Sequence, residues 1–306
     1  MTPELFHRYD GNPVLHASNW PVPTGAVFNP AAVQVAGEML LLVRVEARSG
    51  RSHLAVATSA DGLTTWAIDE ARALHPDISL VAERYGIEDP RITELEGEYV
   101  ITYTGYSELG PLVCVATTKD FRTYKRHGVV LPPENKDAAY FPRRFDGQVA
   151  LIHRPVAGGT AHIWIGFGPD LVHIGEHAPL MLTGPGGHWD GSKIGLGPPP
   201  LETDAGWLIC FHGVRETAAG AIYRVGLALL DLDDPRQVIA RSENWVLGPR
   251  EPYERVGDVG NVVFPCGWTV LEDGDTVRLY YGAADTCVCV ADASLRDLLA
   301  HLSPAA

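Results

Sequence analysis

Five times along this chain a proline is followed, five to nine residues later, by a glycine that opens an apolar run. The stretches read "FNPAAVQVAG", "EDPRITELEG", "FPRRFDG", "GPPPLETDAG" and "FPCGWTVLEDG". Pro30, Pro90 and Pro199 stand seven residues before Gly37, Gly97 and Gly206; Pro142 stands five before Gly147, and Pro265 nine before Gly274. From each glycine an apolar strand such as "GEYVITYTGYS" or "GWLICFHGV" begins, a second strand follows, and a polar turn, often with Asp, closes the unit. Period-2 patterning dominates, and "LRDLLAHL" near the C-terminus is the clearest helical segment. Copies start every 50 to 70 residues, a length that suits one blade of about four strands.

The expectation is an all-β chain, a five-bladed β-propeller spanning 1–306 as a single domain. Blade-like repeats lie near 27–68, 87–128, 140–177, 194–242 and 261–299. Each proline should open the innermost strand of its blade, because the first position of a strand loses no ladder hydrogen bond. A two-sheet sandwich uses similar strands but gives no reason for a fivefold recurrence. Innermost strands of a propeller converge on an axis, so residues at their entrances line one central axial pocket.

That geometry gives meaning to charges in otherwise apolar strands. Asn29, Arg44 and Glu46 belong to the first repeat, and Glu88, Asp89, Arg91 and Tyr103 to the second. Arg143, Arg144, His153 and Arg154 belong to the third, Lys193 and His212 to the fourth, and Asp258, Asn261 and Asp285 to the last region. A buried charge costs several kcal/mol unless paired or ligand-bound. Any one Arg at a blade edge reads as a salt-bridge partner. Several cations around one axis, opposite Asp89, read instead as an acid beside an anionic ligand. Arg143 and Arg144 alternate faces, so one of the two is expected to reach the pocket. His53, His162, His173, His177 and His188 read as surface or packing residues.

The totals narrow the class. A net charge of −14 argues against a nucleic-acid partner, which needs a basic surface. The chain contains no run of about 18 apolar residues, so no membrane span is expected. The N-terminal "MTPELFHRYDGNPVLH" contains no apolar leader core. Cys114, Cys210, Cys266, Cys287 and Cys289 are odd in number and sit mostly in apolar strands, so they read as buried, reduced thiols of a cytoplasmic protein. Neither a metal-ligand pattern nor a nucleotide loop is visible, and no cofactor is expected.

The motifs "GIEDPRI", "ITYTGYS", "PENKDAAYFPRR", "LIHRP", "GSKIGLGPPP", "CFHGV", "EPYERVGDVGNVVFPCG" and "YYGAADT" occur in this order. Together they resemble glycoside hydrolase family 130, the mannoside phosphorylases and β-mannosidases built on a five-bladed propeller. The resemblance implies that Asp89 is the general acid, acting through a sugar hydroxyl. It implies phosphate binding by Arg154, Lys193, His212 and Arg143 or Arg144, with phosphate as co-substrate. Asn29, Arg44, Glu88, Arg91, Tyr103, Asp258 and Asp285 are assigned to the sugar. The expected activity is inverting phosphorolysis of a β-mannosyl disaccharide or short oligosaccharide to α-mannose 1-phosphate. The alternatives are a β-mannosidase on the same fold and a non-catalytic glycan-binding propeller. Linkage, acceptor sugar and homo-oligomer formation stay open.

Overall fold

The computed structural model describes residues 4–157 and 159–304, with Ala157 described by its backbone alone. It is a five-bladed β-propeller. The first blade runs outward through Ala26–Val35, Glu38–Glu46, Ser52–Ser59 and Ala67–Leu74. The second uses Gly86–Leu95, Glu98–Ser107, Gly110–Thr118 and Lys125–Leu131. The third is Asn135–Tyr140, Val149–Ala157, Ile163–Gly168 and Gly175–Met181. The fourth begins with Lys193–Leu196 and Leu201–Thr203, then Gly206–Thr217, Gly220–Leu230 and Val238–Arg241. The fifth holds Val263–Val270, Thr276–Ala283 and Cys287–Ser294. Its outer position is filled from the other end of the chain: His7–Arg8 and Leu15–His16 both pair with Cys287–Ser294. Ser303–Pro304 pairs in turn with the outer strand of blade four, so both ends of the chain are tied into the ring.

The marker glycines have a local cause. Ala36–Gly37, Glu96–Gly97 and Asp146–Gly147 are the two-residue hairpin turns between first and second strands, with φ of 52 and 83°, 54 and 78°, and 47 and 81°. Positive φ at both positions matches the right-handed twist of the flanking strands, and glycine adopts it without a Cβ penalty. The Asp-bearing turns also recur. Asp61, Asp120, Asp170 and Asp231 each accept backbone N–H bonds from two residues just downstream, which fixes the return to the outer strand.

Each pair of neighbouring blades encloses its own apolar layer. Leu42, Leu54, Ile101 and Cys114 pack between blades one and two, and Val113, Val115, Tyr140 and Leu151 between two and three. Ile152, Ile165, Ile194 and Ile209 fill the next gap, then Leu208, Leu227, Val277 and Leu279, and finally Leu41, Val43, Tyr280 and Val290. All five cysteines are buried free thiols within these layers or beside the axis.

The prolines are not where a strand-opening role would put them. Pro30 and Pro90 lie in mid-strand, and Pro265 is the third residue of its strand. All three sit at interruptions of register: Phe28/Ala31, Glu88/Arg91 and Pro265/Gly267. A bulge leaves Pro30 and Pro90 without a ladder partner, so the missing N–H costs nothing there, while Pro265 is still paired with Tyr281 at the edge of its bulge. Pro199 lies in the break between the two halves of blade four's inner strand. Pro142 follows the inner strand of blade three, which starts at Asn135 and carries its own register shift at Lys136/Ala139.

Candidate active site

The bulges build the site. In blades one, two and three the bulge gives one residue of the inner strand a positive φ: Asn29 at 47°, Asp89 at 48° and Asp137 at 52°. Three blades thus present a short polar side chain at equivalent positions, and all three are buried. Such φ values cost energy for any residue with a Cβ, least for Asn and Asp. That cost explains why the axis carries these types rather than apolar ones.

Asp89 is held from three sides. Its Oδ1 accepts hydrogen bonds from Asn29 Nδ2 at 2.9 Å and Arg44 NH1 at 3.0 Å. Its Oδ2 lies 3.4 Å from the Lys136 ammonium. Burial alone would raise the carboxyl's pKa, but Arg44, Lys136 and Arg91, with the Asn29 hydrogen bond, hold it well below the usual carboxylate range. Arg44 also binds Glu88 at 3.0 Å, and its guanidinium stacks 4.5 Å from the Phe28 ring centre. Burial, set against Arg44 and reinforced by Asp89, raises Glu88. Asp285, at a φ of 50° in the turn after Thr276–Ala283, is pushed up to about 6 by burial and then by the Asp89 charge.

Asp137 occupies the same strand position one blade on, but its oxygens face other cations. Oδ2 accepts from Arg154 Nε at 2.6 Å and lies 3.5 Å from His212 Nε2; Oδ1 accepts from Arg91 at 3.3 Å. Arg154, Lys136 and Arg91, with His212, overcome burial and hold Asp137 far below its ordinary range. His212 is neutral, because burial pushes it down to about 3. Lys136 stands in register opposite Arg154, and Gly195 opposite His212. Lys193 opens the inner strand of blade four, its ammonium 5.4 Å from the Tyr223 ring centre and about a third exposed. Asp137 holds Nε of Arg154, and among the described residues the two terminal nitrogens of that guanidinium make no hydrogen bond. Lys136 beside Asp89, and Arg154 with the neutral His212 imidazole beside Asp137, therefore form one cluster, and Lys193 opens the adjoining inner strand with its ammonium 4.0 Å from Glu216.

Several expected site residues stand elsewhere. Arg143 and Arg144 lie at the hairpin end of blade three, opposite the entrance that carries Lys136. Arg143 bonds the Leu232 carbonyl and Glu202 and stacks on Phe145 and Trp207. Arg144 pairs with Glu96 at 2.6 Å in the hairpin turn of blade two. Neither reaches the pocket. Arg91 is central yet fully spent: it is 1% exposed and donates to the carbonyls of Gly197, Asp89 and Leu196 and to Asp137. It locks blade two to blade four and has no direction left for a sugar. Tyr103 points into the layer between blades one and two, where its hydroxyl donates to buried Glu83 at 2.6 Å. Asp258 is exposed on a loop that leans on the Asp285 turn through Asp258 N to Thr286 Oγ1 and Val259 N to the Ala284 carbonyl.

Lys136 and Asp137 were not among the expected residues. The sequence did hold the signal: "NKDAAY" aligns with "VFNPAA" and "IEDPRI" when the bulge residue, not the proline, is the anchor.

Such a constellation can hold a small dianion against Arg154, Lys136 and Lys193 and present it to a ligand gripped by Asn29, Arg44 and Asp89. The family model of glycoside hydrolase family 130, described as beta-1,4-mannooligosaccharide phosphorylase, matches residues 4–303. The chain is 36% identical over 285 residues to the 1,2-beta-oligomannan phosphorylase of Thermoanaerobacter sp. (strain X514), covering 89% of this chain and 91% of that one. It is 33% identical over 310 residues to the beta-1,4-mannooligosaccharide phosphorylase of Ruminococcus albus, covering 98% and 91%. The solved beta-1,2-mannobiose phosphorylase of Listeria innocua, in complex with beta-1,2-mannobiose, superposes with a TM-score of 0.88 at 30% identity, covering 97% of this chain and 98% of that one. This chain belongs to glycoside hydrolase family 130.

Proposed function

We propose that this family member cleaves β-mannosides by inverting phosphorolysis and releases α-mannose 1-phosphate. The observation that carries the reading is the cluster of Lys136, Arg154 and His212 around Asp89 and Asp137, with Lys193 on the adjoining inner strand. The carboxylate within that cluster, Asp137, has both oxygens engaged by Arg91, Arg154 and His212. It is thus unsuited to activating water. An inverting hydrolase needs a second carboxylate as base, with room for water between the two. Phosphate arrives as an anion and needs a cradle instead. The phosphorolytic names of the relatives, on β-1,2 and β-1,4 mannosides, support the same choice.

In this reading a phosphate oxygen attacks C1 from the face opposite the departing group. The new C1–O bond forms as the glycosidic C1–O bond breaks, and the configuration inverts from β to α. The electron pair stays on the leaving oxygen, which takes a proton from Asp89 through a sugar hydroxyl. Hydrogen phosphate brings one proton and the ester product gives it up, so the proton count closes over a turnover. Asn29, Arg44, Glu88 and Asp285 line the sugar side. The reverse reaction tests the proposal and defines the acceptor. Wild-type enzyme is given α-mannose 1-phosphate with mannose, glucose or N-acetylglucosamine, and phosphate release is followed. Release with one acceptor, and a disaccharide product, supports the reading. No release with any acceptor, while β-mannosides are still cleaved, rejects it.

A further inference from the structure

Lys136 touches both halves of the site. Its ammonium lies 3.4 Å from Asp89 Oδ2, and on its strand it stands directly opposite Arg154. Among the described residues Asp89 is its one ion-pair partner within 4 Å. Asp89 has no such freedom to change company, since Asn29 and Arg44 hold Oδ1 and its backbone carbonyl accepts from Arg91. The other charged or titratable groups around it are Glu88, Asp285 and Cys266.

We propose that Lys136 couples the two substrates: with the pocket empty its ammonium neutralises Asp89, and phosphate bound at Arg154 draws that ammonium away, so that Asp89 takes up a proton only when the nucleophile is in place. This rests on phosphate being the nucleophile. It resolves a conflict, since Arg44 and Lys136 keep ionised the very carboxyl that has to act as an acid. A dianion placed beside Lys136 reverses the local field. It weakens the pairing with Asp89 and adds negative charge nearby, and both changes favour the protonated carboxyl. The acid is then armed by phosphate and stays ionised when only a mannoside and water are present.

Proton uptake on phosphate binding tests the coupling. Calorimetric titrations of the ligand-free enzyme with phosphate, in two buffers of different ionisation enthalpy, give the number of protons exchanged. They are run at a mildly alkaline pH, where free phosphate is largely dianionic. The wild type should take up a proton fraction that Asp89→Asn does not, and Asp89→Asn should bind phosphate more tightly for lack of the repelling charge. Equal proton numbers in wild type and Asp89→Asn overturn the proposal, because the proton then goes to another group such as Asp285 or His212. If Asp89→Asn fails to fold, the wild type alone decides. Phosphate affinity, corrected for phosphate's own ionisation, should fall as pH rises, and a flat profile contradicts the coupling. Phosphate-dependent turnover is measured alongside, so failure of the coupling stays distinct from failure of the phosphorolysis reading.

Discussion

Asp89 and Asp137 occupy equivalent bulges on neighbouring blades, share a positive φ and are both buried and ionised. They differ in what surrounds them. Asp137 is enclosed by Arg91, Arg154 and His212, whose side chains are at most 9% exposed. Asp89 shares its charge with Arg44 and Lys136, at 13% and 24% exposure. The backbone therefore supplies a position, and the exposure of the partners decides its use. A carboxylate sealed among buried cations is a structural hub. One whose partners can turn to a ligand is free for chemistry.

The two substitutions to Asn should break this symmetry in opposite directions. Asp89→Asn should lower turnover of an unactivated mannoside by about 10²–10⁴, read as kcat/KM at saturating phosphate, with a modest loss of stability. Near-full turnover would remove Asp89 from the acid role. Asp137→Asn leaves Arg91 and Arg154 short of a partner in a dry site, and should cost about 3–5 kcal/mol of unfolding free energy. If denaturant melts show Asp137→Asn no less stable than Asp89→Asn, the hub assignment fails.

Smaller effects sharpen the contrast. Lys193→Ala removes a part-exposed ammonium and should raise the KM for phosphate by roughly 10- to 150-fold. The KM for the sugar should change far less, at constant ionic strength. Asp285 tests the sugar side by pH. Its carboxyl has a folded value of about 6, above its unfolded value, so the native state binds the extra proton between about pH 4 and 6. Above that window the ionised form is penalised. Asp285→Asn should then gain on the order of 2–3 kcal/mol over wild type at pH 8 and nothing below pH 4. Equal gains at both pH values would place the burden on packing rather than charge. Arg144→Ala, at the hairpin end, should change stability by no more than about 0.5 kcal/mol and leave the KM for phosphate untouched.

Repetition was the readable part of this sequence. A twofold period and a fivefold spacing of the proline–glycine pair pick out the inner strands, since Gly50, Gly110 and Gly220 mark other turns without a proline at that spacing before them. Asp89 and Asn29 were legible because "EDPR" and "NPAA" put polar residues at the same offset from the paired glycine, and Arg44 because it is a charge in the apolar strand Glu38–Glu46. The bulge was not legible, and three misreadings follow from it. Counting alternate residues across Pro90 turns Arg91 toward the ligand, whereas the bulge changes which face follows and sends it into the hub. Anchoring on proline skips "KDAA", which has none, and so overlooks Lys136 and Asp137. The same anchor selects Pro142, whose neighbours Arg143 and Arg144 belong to the hairpin and the wrong end of the blade. Tyr103 shows a different limit: a period-2 strand between two blades has no solvent face, and its one polar atom is met by Glu83, which lies on a separate segment.

The central claim is that phosphate, not water, attacks the sugar. The direct measurement is a time course of wild-type enzyme on β-1,2- and β-1,4-mannobiose, with and without inorganic phosphate, reading mannose 1-phosphate and free mannose separately. The expected products are a sugar phosphate of α configuration and one equivalent of free mannose from the cleaved disaccharide, with almost no cleavage without phosphate. Two equivalents of free mannose per disaccharide, released as fast without phosphate as with it, would contradict that claim.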